Sequence, residues 1–163
     1  MLLDALAAAP CGEWQLTCAG SLTRHPVTAA RVRAAIIRLG LEDRVTLAGD
    51  LDGEALSACY NRADIFVLAT RQETYGMAVA EALARGLPVV ATMTGAIPEL
   101  VGNEAGLLVP VDDTRALANA LARVMGDAGL RARLAEGARR MRDRLPTWED
   151  ASARMAAALT FDL

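Results

Sequence analysis

Short apolar runs, several of them ending at a glycine, alternate with longer stretches of helical periodicity. That alternation leaves few architectures open. Trp14 to Ala19 is strand-like and stops at Gly20, and Val45 to Ala48 is strand-like and stops at Gly49. Asp64 to Ala69 is apolar almost throughout, as are Pro88 to Ala91 and Gly106 to Val109. Between these runs, Thr28 to Leu39, Glu54 to Arg62, Gly76 to Arg85 and the short Ile97 to Val101 carry helical spacing. Leu2 to Ala9 reads as the end of an amphipathic helix closed by Pro10. From Thr114 onward the pattern is helical: Ala116 to Met125, Leu130 to Arg144, and Trp148 to Leu159. Thr147, with Asp150 three residues later, resembles the start of that last helix.

Continuous apolar strands separated by helices predict a parallel sheet covered on both faces. Right-handed crossovers make it an α/β, Rossmann-like doubly wound sheet followed by C-terminal helices. The 163 residues, 53% of them hydrophobic, suit one domain with a real core. The formal charge of −3 and the scattered basic residues argue against a nucleic-acid partner. Arg131 to Arg144 reads as a charged helix face, because Glu136 and Asp143 interrupt it. No apolar run approaches the ~18 residues of a transmembrane segment. Every basic residue but His25 is arginine, so no Schiff-base or phosphate-clamping lysine lies within this sequence. The same usage suggests a GC-rich bacterial source. Cys11, Cys18 and Cys59 form no CxxC, and with His25 alone they supply no zinc set. They read as core thiols of a cytosolic protein.

The chemistry gathers between Thr70 and Thr92. A strand ends at Ala69, a loop carries Glu73, and a helix begins near Gly76. Ligands of doubly wound sheets bind beyond the carboxyl ends of strands. A helix start there offers unpaired N–H groups and positive potential to an anion, and Gly76 permits close approach. Such a turn can hold a diphosphate without lysine. Glu81 lies five residues into the helix, roughly 7–8 Å further along its axis at ~1.5 Å per residue. Glu73 and Glu81 would bracket a ligand docked on the helix start, one for a sugar hydroxyl and the other for a ribose diol. Ala80, Ala82, Leu83 and Ala84 make the helix look buried on nearly every side.

The run Glu73-Thr74-Tyr75-Gly76, followed by Glu81-Ala82-Leu83-Ala84-Arg85-Gly86-Leu87-Pro88-Val89-Val90-Ala91, resembles the E-x7-E motif of retaining GT-B glycosyltransferases. It is most similar to glycosyltransferase family 4, the group 1 transferases. Supporting likenesses are Leu41 to Val45 with Gly49, then Tyr60 and Ala63-Asp64. They continue through Gly95 to Val101, Gly106 to Pro110 and Thr147 to Glu149. The resemblance implies that Glu73 is catalytic, contacting the donor sugar and supporting oxocarbenium-like charge near C1. It implies that Glu81 holds the ribose hydroxyls. It places Thr74 in the donor-binding turn, where the amides of Tyr75, Gly76 and Met77 meet the diphosphate. Leu51 lies beside the base, and Met77 flanks the nucleoside. It further implies a nucleoside diphosphate sugar as donor and no obligatory metal or cofactor. The acceptor would be a glycan, lipid or small molecule, and the location cytoplasmic, peripheral to the inner membrane face in the intact enzyme.

Two departures from the family follow. Its C-terminal domain opens with a strand and an Arg/Lys loop that clamps the diphosphate, whereas this sequence starts inside the next helix. The acceptor-binding N-terminal domain does not appear either. Residues 1–163 therefore read as a single nucleotide-sugar-binding domain, one half of a two-domain enzyme. In the family's strand order the first strand is central, so the sheet is expected to close the gap, split, or borrow a strand. An unpaired edge of this kind invites self-association. Thr94-Gly95 stands where many members have Gly-Gly. His25 and Arg71 read as solvated residues near the ligand edge, and Trp14 and Trp148 as packing residues. A catalytically inert nucleotide-binding or structural fragment is the alternative function. A pyridoxal-dependent phosphorylase is disfavoured by the absence of lysine.

Overall fold

The computed structural model describes residues 1–9, 12–145 and 148–159. In chain order the elements are α1 (Leu2–Ala8), β1 (Leu16–Ala19), α2 (Pro26–Arg38), β2 (Val45–Gly49), α3 (Gly53–Arg62) and β3 (Phe66–Leu68). There follow α4 (Met77–Ala84), β4 (Val89–Thr92), α5 (Ile97–Val101), β5 (Gly106–Val109), α6 (Thr114–Gly126), α7 (Ala128–Arg142) and α8 (Trp148–Leu159). Every expected element is present and all strand pairs are parallel, so the α/β, doubly wound class holds. Pro10, Cys11 and Thr147 lie outside the described residues.

The strands form two sheets, β1–β2 and β3–β4–β5, and no ladder joins β1 to β3 among the described residues. Of the three expected outcomes, the sheet splits. The split shortens β3. The apolar run from Asp64 predicts six strand residues, but only Phe66–Leu68 pair, since β3 has a neighbour on one side alone. Its residues are half-buried, while all four of β4, flanked on both sides, are buried.

Alternation across the pleat still sorts β3 onto two faces. Phe66 and Leu68 pack with Val79, Leu83, Val89 and Ile97 under α4 and α5. Ile65, Val67 and Ala69 pack with Leu6, Val90, Leu117 and Leu121 under α1 and α6. Leu16 of β1 joins this second cluster, so one core face runs beneath both sheets. Leu16 and Cys18 also meet Ile36, Val45 and Leu47 beneath α2.

Helix starts follow the sequence. Asp52, Asp113 and Asp127 each accept the backbone N–H three residues on at 2.8 Å, as N-caps do. His25, read as a solvated loop residue, is itself an N-cap: its Nδ1 accepts from the Thr28 N–H at 3.2 Å. The arginine-rich stretch behaves as a structural face. Arg140 pairs with Glu104 and Glu136, and Arg131 donates to the last carbonyls of α6, at Val124 and Met125. Among the described residues no helix is long and apolar enough to cross a membrane.

Candidate functional site

The loops after β3 and β4 leave the carboxyl ends of neighbouring parallel strands and are tied together. Thr92 Oγ1 donates to the Thr70 carbonyl. Thr94 Oγ1 donates to the Arg71 carbonyl at 3.4 Å. Gly95 has φ +54°, and a Cβ there would collide with the Glu73 carbonyl oxygen. The two loops touch backbone to backbone, which only glycine allows. The fixed loop then delivers Gly76, the left-handed N-cap of α4 with φ 84° and ψ 41°. A Cβ on Gly76 would press to 2.9 Å from Leu100 Cδ1, so this helix start is seated on α5.

Glu73 is half-buried, and its Oε1 accepts two backbone bonds, from Thr74 N at 3.0 Å and Gly76 N at 3.1 Å. The carboxylate thus acts as the missing side-chain cap of α4. The Gly76 amide expected to meet a diphosphate is engaged by Glu73 here. The amide of Met77, the first residue of α4, belongs to the helix's unpaired first turn. The Tyr75 and Met77 side chains stand out into solvent, 46% and 57% exposed, and Met93 after β4 is 47% exposed. These three are half of the six exposed large apolar side chains among the described residues, and all flank the same strand ends. An apolar rim around free amides suits a ligand with a flat apolar part and an anionic part.

Glu81 lies in the middle of α4 and is half-buried. The helix is less enclosed than its alanines suggest. Val79, Ala82 and Leu83 face the core, whereas Met77, Ala84 and Arg85 are exposed. Beside Glu81 stands Tyr60 of α3, only 8% exposed, whose hydroxyl donates to the Ala78 carbonyl at 3.3 Å. Burial, reinforced by the neighbouring Glu81 carboxylate, pushes the Tyr60 phenol up to about 12.

The structure thus brings Glu73, Thr74, Tyr75, Gly76 and Met77 together at one helix start, with Glu81 further down the same helix. Leu51 lies apart from them, half-buried in the loop after β2 of the other sheet. Arg71 is exposed and pairs with Asp112 at 2.8 Å. Trp14 packs into the core beneath β1, with Arg44 over its ring at 5.2 Å. Cys18 and Cys59 are free and half-buried, and burial raises the Cys18 thiol. Among the described residues no group of three or more His, Cys, Asp or Glu side chains could hold a metal ion. A groove along the open side of β5, lined by Met93, Pro98, Leu107 and Arg123 among others, contains no carboxylate.

Sequence reasoning did not assign roles to Tyr60, Met93 and Arg85 at the site. For Arg85 a signal existed, the four-residue spacing from Glu81 on one helix. Tyr60 stands among the residues that carry the family resemblance, but its contact with α4 has no local signal, because α3 meets α4 only in the folded chain.

A family model described as "Glycosyl transferases group 1" matches residues 1–127. The D-inositol 3-phosphate glycosyltransferase of Xylanimonas cellulosilytica is 33% identical over 156 residues, covering 95% of this chain and 37% of that protein. Among solved structures, sucrose-phosphate synthase from Thermosynechococcus elongatus superposes with a TM-score of 0.84 at 33% identity. That match covers 97% of this chain and 40% of the other. Anabaena HepE, solved in complex with UDP, gives a TM-score of 0.86 at 26% identity over 98% of this chain and 44% of its own. The chain therefore spans well under half the length of these relatives.

Proposed function

Because the chain belongs to the group 1 glycosyl transferases, we propose that it forms the donor-binding half of a retaining enzyme, of the family 4 type. That enzyme moves a sugar from a nucleoside diphosphate sugar to a glycan, lipid or small acceptor. The observation that carries this reading is the joined pair of loops at the carboxyl ends of β3 and β4. It holds Glu73 at the first turn of α4, with Glu81 further along the same helix.

In this reading the diphosphate lies on the amides of Tyr75, Gly76 and Met77, attracted by the helix dipole. Glu81 accepts hydrogen bonds from the ribose diol. Glu73 gives up its bond to the Gly76 amide as the diphosphate arrives and turns toward the sugar, where its charge supports positive charge developing near C1. The apolar Met77 side chain flanks the nucleoside, and Leu51 approaches the base from the other sheet. No metal is required, because backbone amides carry the phosphate charge. A second, acceptor-binding domain completes the cleft, so the isolated chain transfers little or no sugar.

The test is a calorimetric titration of the purified chain with UDP, GDP and ADP, repeated with Glu81→Ala. Heat from one nucleotide, lost in the variant, supports a donor site and names the base. Silence with all three from a folded chain favours the second reading, an inert structural fragment. That reading draws on the split sheet and on the Gly76 amide being already engaged.

A further inference from the structure

Arg85 follows Glu81 by four residues on α4 and its flank, the spacing at which a glutamate and a downstream arginine ordinarily pair. Elsewhere in this molecule that spacing does close: Glu136 and Arg140 on α7 meet at 3.2 Å. At α4 it does not. No ion pair involves Glu81 or Arg85 among the described residues. The guanidinium instead lies over the Tyr60 ring, with Cζ 4.5 Å from the ring centroid. Its Nη1 donates to the backbone carbonyl of Glu81 at 3.1 Å, and its Nη2 approaches Ser57 Oγ at 3.5 Å. Tyr60 also stacks on Phe66, with ring centroids 5.9 Å apart. A guanidinium is attracted to an aromatic face, and a buried, stacked ring is a fixed platform for it.

We propose that Tyr60 is a positioning residue. Its ring holds the Arg85 guanidinium off the Glu81 carboxylate, which is therefore left without a salt-bridge partner and can accept from the hydroxyls of a ligand. The consequence for ligand binding rests on the role given to Glu81 above; the parking of Arg85 does not. Without the ring, Arg85 swings onto the carboxylate and competes with the ligand. An ion pair at this spacing on an exposed helix face is weak, so nucleotide affinity falls roughly twofold.

The experiment compares wild type with Tyr60→Phe, Tyr60→Leu and the double variant Tyr60→Leu/Arg85→Gln. The first readout is the Arg85 side-chain NMR signals. Wild type and Tyr60→Phe should show Arg85 Hδ and Hε shifted upfield by the ring. In Tyr60→Leu that shift disappears, and Arg85 Hε becomes sensitive to an added Glu81→Gln change. The second readout is titration with UDP, GDP and ADP. Tyr60→Leu binds more weakly, and adding Arg85→Gln restores affinity, which a packing defect would not do. Arg85 protons at unshifted positions in wild type overturn the proposal, and they do so even if Tyr60→Leu does not fold. So does a double variant that binds no better than Tyr60→Leu. A wild-type chain that takes no nucleotide overturns the role of Glu81 instead, and the Arg85 signals alone then decide the parking.

Discussion

At the scale of single residues, Tyr60 and Gly95 carry more of the site than their chemistry suggests. The Tyr60 phenol is raised first by burial and then by Glu81. The folded chain therefore holds its proton to a higher pH than the unfolded chain does. By linkage, this contribution to stability is complete below pH ~10, the unfolded value, and is lost as pH rises through the folded value of about 12. Subtracting the tyrosinate absorbance titration of Tyr60→Phe from that of wild type should leave a step centred near 12. A step near 10 would contradict this. Gly95 is set by sterics alone. Gly95→Ala should cost at least ~1–3 kcal/mol in chemical denaturation, since a left-handed backbone and a blocked Glu73 carbonyl act together. Weaker nucleotide binding should accompany it, because the loop that aims Glu73 must move.

At the scale of elements, α4 is pinned from both sides. Its Glu73 cap and Gly76 turn fix the start, and Val79, Ala82 and Leu83, each fully buried, fix the inner face. Leu83→Ala should lower unfolding free energy by ~2–5 kcal/mol, read from urea midpoints at constant slope. A loss below 1 kcal/mol would mean that α4 is not anchored as described. The capping aspartates are worth less: Asp113→Ala should cost ~1 kcal/mol through the start of α6. Most of this level was legible in the sequence. The Glu73 to Glu81 segment is a local pattern on one loop and one helix, so spacing places both carboxylates. Contacts between distant segments were not legible. Arg71 finds Asp112, and Tyr60 reaches α4, only once the crossovers have packed. His25 is the solvated loop residue the sequence predicts, but its capping role is not legible there, because a histidine cap looks like any polar loop residue. The length of β3 was misread because hydropathy reports burial and not how many neighbours a strand pairs with.

At the scale of the whole molecule, the two sheets share one apolar layer, and no ladder joins β1 to β3 among the described residues. Unpaired edges of apolar parallel strands recruit other strands. The purified chain is therefore expected to self-associate, with mass by light scattering rising with concentration. A monomer at all concentrations with one sharp thermal transition would contradict that. The superposition on full-length relatives at TM-scores of 0.84 and 0.86 is with chains more than twice as long.

The central claim is that a nucleoside diphosphate lands on the start of α4. Backbone amide shift mapping of the labelled chain with UDP, GDP and ADP tests it most directly. The account predicts that one nucleotide shifts the amides of Thr74, Tyr75, Gly76 and Met77 first, as Glu73 releases Gly76, with smaller shifts near Glu81. Shifts confined to the β5 groove or scattered over the arginine face of α7, or no shifts at all from a folded chain, would contradict it.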